Sequence, residues 1–217
     1  MEQNHATVKP RRYDSSRRRQ QARQTHDDIL AAARTRFLTD GFAATTIAAV
    51  AAEAGVSVDT IYKTFGGKPG LVRAIHQQSL TGGGPIDAET RSDALQTTET
   101  DPKAVMRGIG QLGAEVAPLV APILLLIRDA ATTDADMVAL RAELDDQRLR
   151  RMTHNAENLA NAGHLREGVT IDQAAEIMWT YSSPELYELL VIVRHWSPRR
   201  YGSFISEALG AHLVADI

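Results

Sequence analysis

The sequence predicts an all-α protein built in two parts, and three observations carry that prediction. Apolar residues recur at three- and four-residue spacing along most of the chain, and no segment alternates with period two as a half-buried strand would. Capping residues, glycines and prolines punctuate this pattern at helix-length intervals. Charge is also unevenly spread. Residues 1–80 carry 12 Lys+Arg against 7 Asp+Glu, a net of +5, whereas residues 81–217 carry 12 against 20, a net of −8. A basic front joined to an acidic remainder implies that the front meets a polyanion and the rest does not.

Each element follows in order. Residues 1–24 hold Lys9, Arg11, Arg12, Arg17, Arg18, Arg19 and Arg23 with few large apolar side chains. Such a stretch buries too little to offset its ordering entropy, so a disordered basic arm is expected. A first helix is expected from a cap at Thr25, with Asp27 and Asp28 in its first turn and Ile29, Ala33 and Phe37 on one face, ending at Asp40-Gly41. A second runs from Thr45 or Thr46 through Ile47, Val50 and Ala51 to Ala54. After Gly55 a third starts at Ser57, with Ile61 and Phe65 inward. Gly66-Gly67 breaks it, and Lys68-Pro69 opens a fourth carrying Leu71, Val72 and Ile75. Residues 81–100 are polar and glycine-rich, and a loop connector is expected there.

Residues 101–217 predict only helices. Asp101-Pro102 opens one through Val116, and a separate apolar helix, kinked or restarted near Pro122, follows from Pro118 to about Ala131. Asp134 caps a long helix ending at Gly163. Thr170 and Gln173 form a capping box for the next, which is expected to kink at Ser182-Ser183-Pro184 and reach about His195. Ser197-Pro198 starts the last, ending near Val214. This gives four segments: arm 1–24, head 25–80, connector 81–100 and body 101–217.

Composition excludes several classes of protein. Hydrophobic residues are 43% and charged ones 24% of 217, ordinary values for a globular chain. With no cysteine there is no disulfide, thiolate metal site or thiol nucleophile. The longest apolar run, Ala117 to Ile127, is eleven residues against the roughly 20 a bilayer span needs. No apolar stretch follows the basic N-terminus, so a cytoplasmic protein is expected, with no membrane partner.

Two short helices joined by a tight glycine turn have the pattern of a helix-turn-helix. Gly55 tolerates the positive φ of the turn, Ala51 is small enough for the crossing, and Val56 supplies the apolar residue after the turn. Ser57 caps the second helix, which leaves Val58, Asp59, Tyr62 and Lys63 on the face a major groove would see. The run Thr46-Ile47-Ala48-Ala49-Val50-Ala51-Ala52-Glu53-Ala54-Gly55-Val56-Ser57-Val58-Asp59-Thr60-Ile61-Tyr62-Lys63-Thr64-Phe65-Gly66-Gly67-Lys68-Pro69-Gly70-Leu71 resembles the DNA-binding signature of the TetR family of bacterial transcriptional regulators. The resemblance is tight over about residues 25–75. It is looser over the rest, through the helical pattern and the Trp196-Ser197-Pro198…Tyr201 tail.

That resemblance implies a three-helix head, a helical-bundle body for ligand sensing and dimerisation, and a homodimer on a pseudo-palindromic duplex operator. It further implies a repressor released by a small-molecule effector. Carried over by position, Thr25 and Thr46 would donate to phosphates, Thr60, Tyr62 and Lys63 would hold the backbone, and Lys68 would add a cation at a helix N-terminus. Ser57, Val58 and Asp59 fall where the family reads base edges. Three positions depart from its pattern: Asp59 is usually small, Val58 is often polar, and Gly67 and Pro69 replace the capping residue and the acid around Lys68. Direct readout is therefore thin, and Arg17, Arg18 and Arg19 in the arm are expected to take phosphates or the minor groove.

In the body, Arg148 interrupts an apolar stripe of Leu140, Leu144, Met152, Ala156 and Leu159. It either meets an anionic effector in a cavity with Met106, Ile109, Met152 and Trp179, or pairs with an acid. Trp179, Leu186, Leu189, Val193, Phe204, Ile205 and Leu209 would build the dimer interface. No metal-ligand spacing, phosphate loop or nucleophile elbow occurs, so no catalytic residue, metal or cofactor is expected. An all-α enzyme, or a helix-turn-helix used for protein contacts, is the alternative reading.

Overall fold

Helix α1 spans Asp14–Ala44 and bends at Gly41, whose φ of 82° is non-helical. Here the computed structural model, which describes residues 14–82 and 86–215, corrects the sequence expectation. Residues 14–24 are helical rather than disordered, and Thr25 lies inside the helix instead of capping it. The cause is local. The Arg/Gln/Ala-rich stretch from 17 to 24 contains good helix formers and neither Gly nor Pro, so it extends the helix into solvent without needing a buried face. The remainder of the expected arm, residues 1–13, lies outside the described residues.

Helices α2 (Ile47–Glu53) and α3 (Val58–Phe65) begin after caps at Thr46 and Ser57, and α4 (Lys68–Leu80) begins at the expected Lys68-Pro69. Thr46 Oγ1 accepts from Ala49 N and Ser57 Oγ from Thr60 N, both at 3.1 Å. Gly55 turns the chain at φ 66°. The unusual opening of α4 has a steric reason, since a Cβ at Gly70 would overlap the Phe65 carbonyl oxygen. Gly67, Pro69 and Gly70 together let α4 start hard against the end of α3, without a side-chain cap.

The expected loop over 81–100 is corrected by α5 (Ala88–Thr98). Asp87 caps it, accepting from Thr90 N at 2.8 Å. Its inner face is polar, with Ser92 and Gln96 buried and Gln96 Nε2 donating to Asn155 Oδ1 at 3.1 Å. Arg91–Glu115 and Arg151–Asp93 ion pairs hold it in place. No apolar stripe marks this helix, so hydrophobic periodicity misses it.

Helix α6 (Pro102–Ala130) runs unbroken through Pro118 and Pro122, where two helices are expected. Packing against α4 and the later helices α7 (Ala135–Asn161) and α10 (Pro198–Leu213) overrides the local break. By length and composition α6 could cross a membrane, and these contacts bury 28% of its most apolar window. Gly110 of α6 and Gly202 of α10 meet so closely that a Cβ on either would overlap the other's carbonyl oxygen. Helix α8 (Ile171–Tyr181) starts with the expected Thr170/Gln173 capping box. It stops at Ser182 rather than kinking onward. A new cap at Ser183 starts α9 (Pro184–Tyr187), which leads into a π-helical segment, Glu188–Val193.

Two apolar cores result. One joins Phe37, Ile47, Val50, Ile61, Leu71 and Ile75 of the head to Ile123, Ile127, Met137, Leu140 and Leu144 of α6 and α7. The other packs α6, α7, α8 and α10 around Val105, Met106, Leu159, Met178 and Leu209. The head is thus wedged onto the body by a shared core.

Candidate DNA-binding surface and ligand cavity

Helix α3 stands on Ile61, which is fully buried, and this fixes the opposite face outward. Val58 is 40% and Tyr62 53% exposed, with Ser57, Asp59 and Lys63 also exposed and Thr60 half-buried. Lys63 Nζ lies 2.7 Å from Asp59 Oδ2, an i,i+4 pair on the solvent side. The pair neutralises the carboxylate that would otherwise repel phosphates. Thr46 is exposed at the start of α2, and its Oγ1 is engaged as an acceptor, which leaves its O–H able to donate. Arg17, Arg18 and Arg19 are exposed on the first turns of α1, and Thr25 is half-buried further along it.

Lys68 sits differently from its expected role. Its ammonium donates to the carbonyl of Phe42, lies 4.2 Å from the Phe42 ring centroid and reaches Ala43 O at 3.4 Å. It closes the end of α1 instead of facing outward. Partial burial lowers its pKa, although nearby Asp134 works the other way.

The body contains a cavity of about 270 Å³ between α4, α5, α6, α7, α8, α9 and α10. Of the five expected effector residues, Ile109, Arg148 and Met152 line it. Met106 and Trp179 do not. Met106 is core packing, 2% exposed, and Trp179 lies outside Arg148, its ring centroid 4.3 Å from the guanidinium carbon and its carbonyl accepting from Nη1 at 2.5 Å. Both residues are on the expected helices but turned to the wrong side.

Sequence reasoning missed His76. It lies on α4, is 6% exposed and lines the cavity, and its Nδ1 is buried without a partner. Burial pushes its pKa down to about 4, so the imidazole is neutral near pH 7. Its position one turn beyond Val72, on the inward face of α4, was the available signal. The same helix is tied to its surroundings at other points. Ser79 accepts from Arg34 Nη1 at 2.9 Å, while Arg34 Nη2 donates to Leu119 O of α6 at 2.8 Å, and Arg73 pairs with Glu143 of α7. Helix α4 therefore touches the cavity, the reading head and the body together.

A helix-turn-helix with its outer face exposed is thus wedged onto a helical body that holds a cavity. Residues 29–75 match the family model of bacterial regulatory proteins, tetR family. The whole fold agrees. The repressor SmeT of the Stenotrophomonas maltophilia multidrug efflux pump SmeDEF is 18% identical, with a TM-score of 0.64 over 88% of this chain and 90% of that one. In its triclosan complex SmeT gives 19% identity and a TM-score of 0.68, over 89% and 93%. A TetR transcription regulator from Haloarcula marismortui is 14% identical, with a TM-score of 0.63 over 88% and 98%. No curated protein matches the sequence.

Proposed function

We propose that this chain is a cytoplasmic repressor, a homodimer whose two α3 helices enter successive major grooves of a pseudo-palindromic operator and withdraw when a small molecule fills the cavity. The observation that carries this reading is α4, which lines the cavity through His76 and grips the end of α1 through Lys68. An occupant that favours one position of α4 changes the spacing of the two heads. A differential affinity of about 1–3 kcal/mol would alter operator occupancy roughly 5- to 150-fold. On the duplex, Ser57, Val58 and Asp59 face base edges, Thr46, Thr60, Tyr62 and Lys63 face the backbone, and Val58 offers only an apolar contact to a thymine methyl. The test is a gel shift on fragmented genomic DNA at several salt concentrations. An enzyme, or a protein-contact module, would retard no fragment at any of them.

With few base contacts, phosphates supply much of the affinity. Deleting residues 1–20 removes Lys9, Arg11, Arg12 and Arg17 to Arg19. If two or three of these meet phosphates, the slope of log K against log salt should fall by about 2–3 per monomer. Operator titrations from low to high salt measure this, and an unchanged slope would show that the arm is only solvated.

Dimerisation follows from the apolar surface left uncovered. Of the residues expected at the interface, Ile205 and Leu209 are buried inside the protomer, which corrects their assignment. Leu189, Ile192 and Val193 of the π-helical segment are 54%, 47% and 60% exposed. Replacing Leu189 and Val193 together by Glu should shift the protein to a monomer in light scattering, with helix content unchanged by circular dichroism. A variant that stays dimeric would place the interface elsewhere.

A further inference from the structure

The cavity wall is apolar along Leu112, Val116, Val120 and Leu124, but at one end it carries polar groups that the fold leaves unanswered. Tyr201 is 3% exposed and Tyr187 6%, their rings edge to face with centroids 5.4 Å apart. Neither hydroxyl has a hydrogen-bond partner among the described residues. Burial holds the Tyr201 hydroxyl protonated, with a pKa up at about 12, so it can donate. Neither hydroxyl is among the polar atoms sealed inside the protein without a partner, so both keep accessible surface, and a ligand atom in the cavity can reach them.

Arg148 supplies the second half of the site. Of its five N–H donors, Nη1 gives to Trp179 O at 2.5 Å and Ser182 Oγ at 3.2 Å, and Nη2 gives to Asp145 Oδ1 at 3.2 Å. Nε is buried with no partner. Asp145 also lies 3.8 Å from Arg141 Nε, so its charge is shared between two guanidiniums. Arg151, the other basic residue on the wall, pairs with Asp93. The wall carries one acid, Glu89, and that side chain is exposed. The lining is therefore cationic at one end and apolar elsewhere, which disfavours a cationic occupant.

Building on the sensing role set out above, we infer that the effector is a small, mostly apolar monocarboxylic acid. Its carboxylate takes Arg148 and the Tyr201 hydroxyl, and its tail lies along the α6 wall. The volume, about 270 Å³, is below the roughly 300–1,000 Å³ usual for drug-sized ligands, so the acid is short or single-ringed. Charge-assisted bonds to a guanidinium are stronger than neutral ones, and this gives acids an advantage over isosteric amides.

Calorimetry on the full-length protein tests the class with benzoate and hexanoate against benzamide and hexanamide, and operator release is measured in parallel. Each acid should bind at least about tenfold tighter than its amide. Arg148→Met should erase that preference while keeping amide affinity, and Tyr201→Phe, which removes only an oxygen, should weaken the acids several-fold. Amides that bind as tightly as acids, acid preference surviving in Arg148→Met, or no binding of either acid would overturn the inference. An acid that binds with the expected preference yet leaves operator affinity unchanged supports the ligand class and defeats the release mechanism instead.

Discussion

Replacing Phe37 by alanine should destabilise the protein by about 3–5 kcal/mol, the usual cost of truncating a fully buried phenylalanine. Phe37 is 0% exposed and stacks on Phe42, with ring centroids 5.8 Å apart. It belongs to the core that joins α1 to α2, α3 and α4 and continues into Ile127 and Leu140. The void would therefore open beneath the recognition helix and also at the junction with the body. Urea unfolding followed by circular dichroism should show a large fall in midpoint with a single transition retained. Operator affinity should fall with it, and Phe37→Leu should recover part of both. A head that melts first, with the body intact, would show that the shared core does not couple them.

Much of the reading head was legible because its signals are local. A cap at Thr45 or Thr46, a glycine at 55 and a cap at Ser57 each need only a few neighbouring residues, and the structure uses Thr46, Gly55 and Ser57. The same holds for Asp134 and the Thr170/Gln173 box. What failed depended on distant partners. Helix α5 hides behind a polar inner face whose partner, Asn155, is 59 residues away. Helix α6 passes two prolines because neighbouring helices hold it. The body's cavity was sought on the right helices, yet only Ile109, Arg148 and Met152 reach it. Wall and core residues alternate along the inward side of the same helices, and periodicity does not separate them. Lys68 was expected to face outward, but its carbonyl partners, Phe42 and Ala43, lie 26 and 25 residues earlier at the end of α1.

Acid should destabilise this fold in two separable stages, and His76 sets the first. Its folded pKa is pushed down to about 4 by burial, whereas an unfolded histidine titrates near 6.5. Between those values the unfolded chain binds the extra proton, so the neutral imidazole's contribution is complete above about pH 6.5 and is lost as pH falls toward 4. The span corresponds to something on the order of 3 kcal/mol. The paired carboxylates act lower. Asp93 beside Arg151 and Glu143 beside Arg73 are held below their ordinary range, so their contribution is lost only as pH drops through about 4 and beneath. Stability measured by urea titration from pH 7.5 to 3.5 should therefore start to fall well before the carboxylates titrate. His76→Leu keeps an apolar side chain on the inward face of α4 and removes the titrating ring, so its curve should stay flat down to about pH 4.5. If wild type and variant decline together from pH 6.5, the buried imidazole is not the group being protonated. The same side chain lines the cavity on the helix that closes the end of α1, and because the folded ring stays neutral until about pH 4, that helix keeps its charge state over the interval in which stability falls. Operator affinity of the folded protein should therefore change alike in wild type and His76→Leu from pH 6.5 to about 5, and a loss confined to wild type would show that the folded ring takes its proton at higher pH.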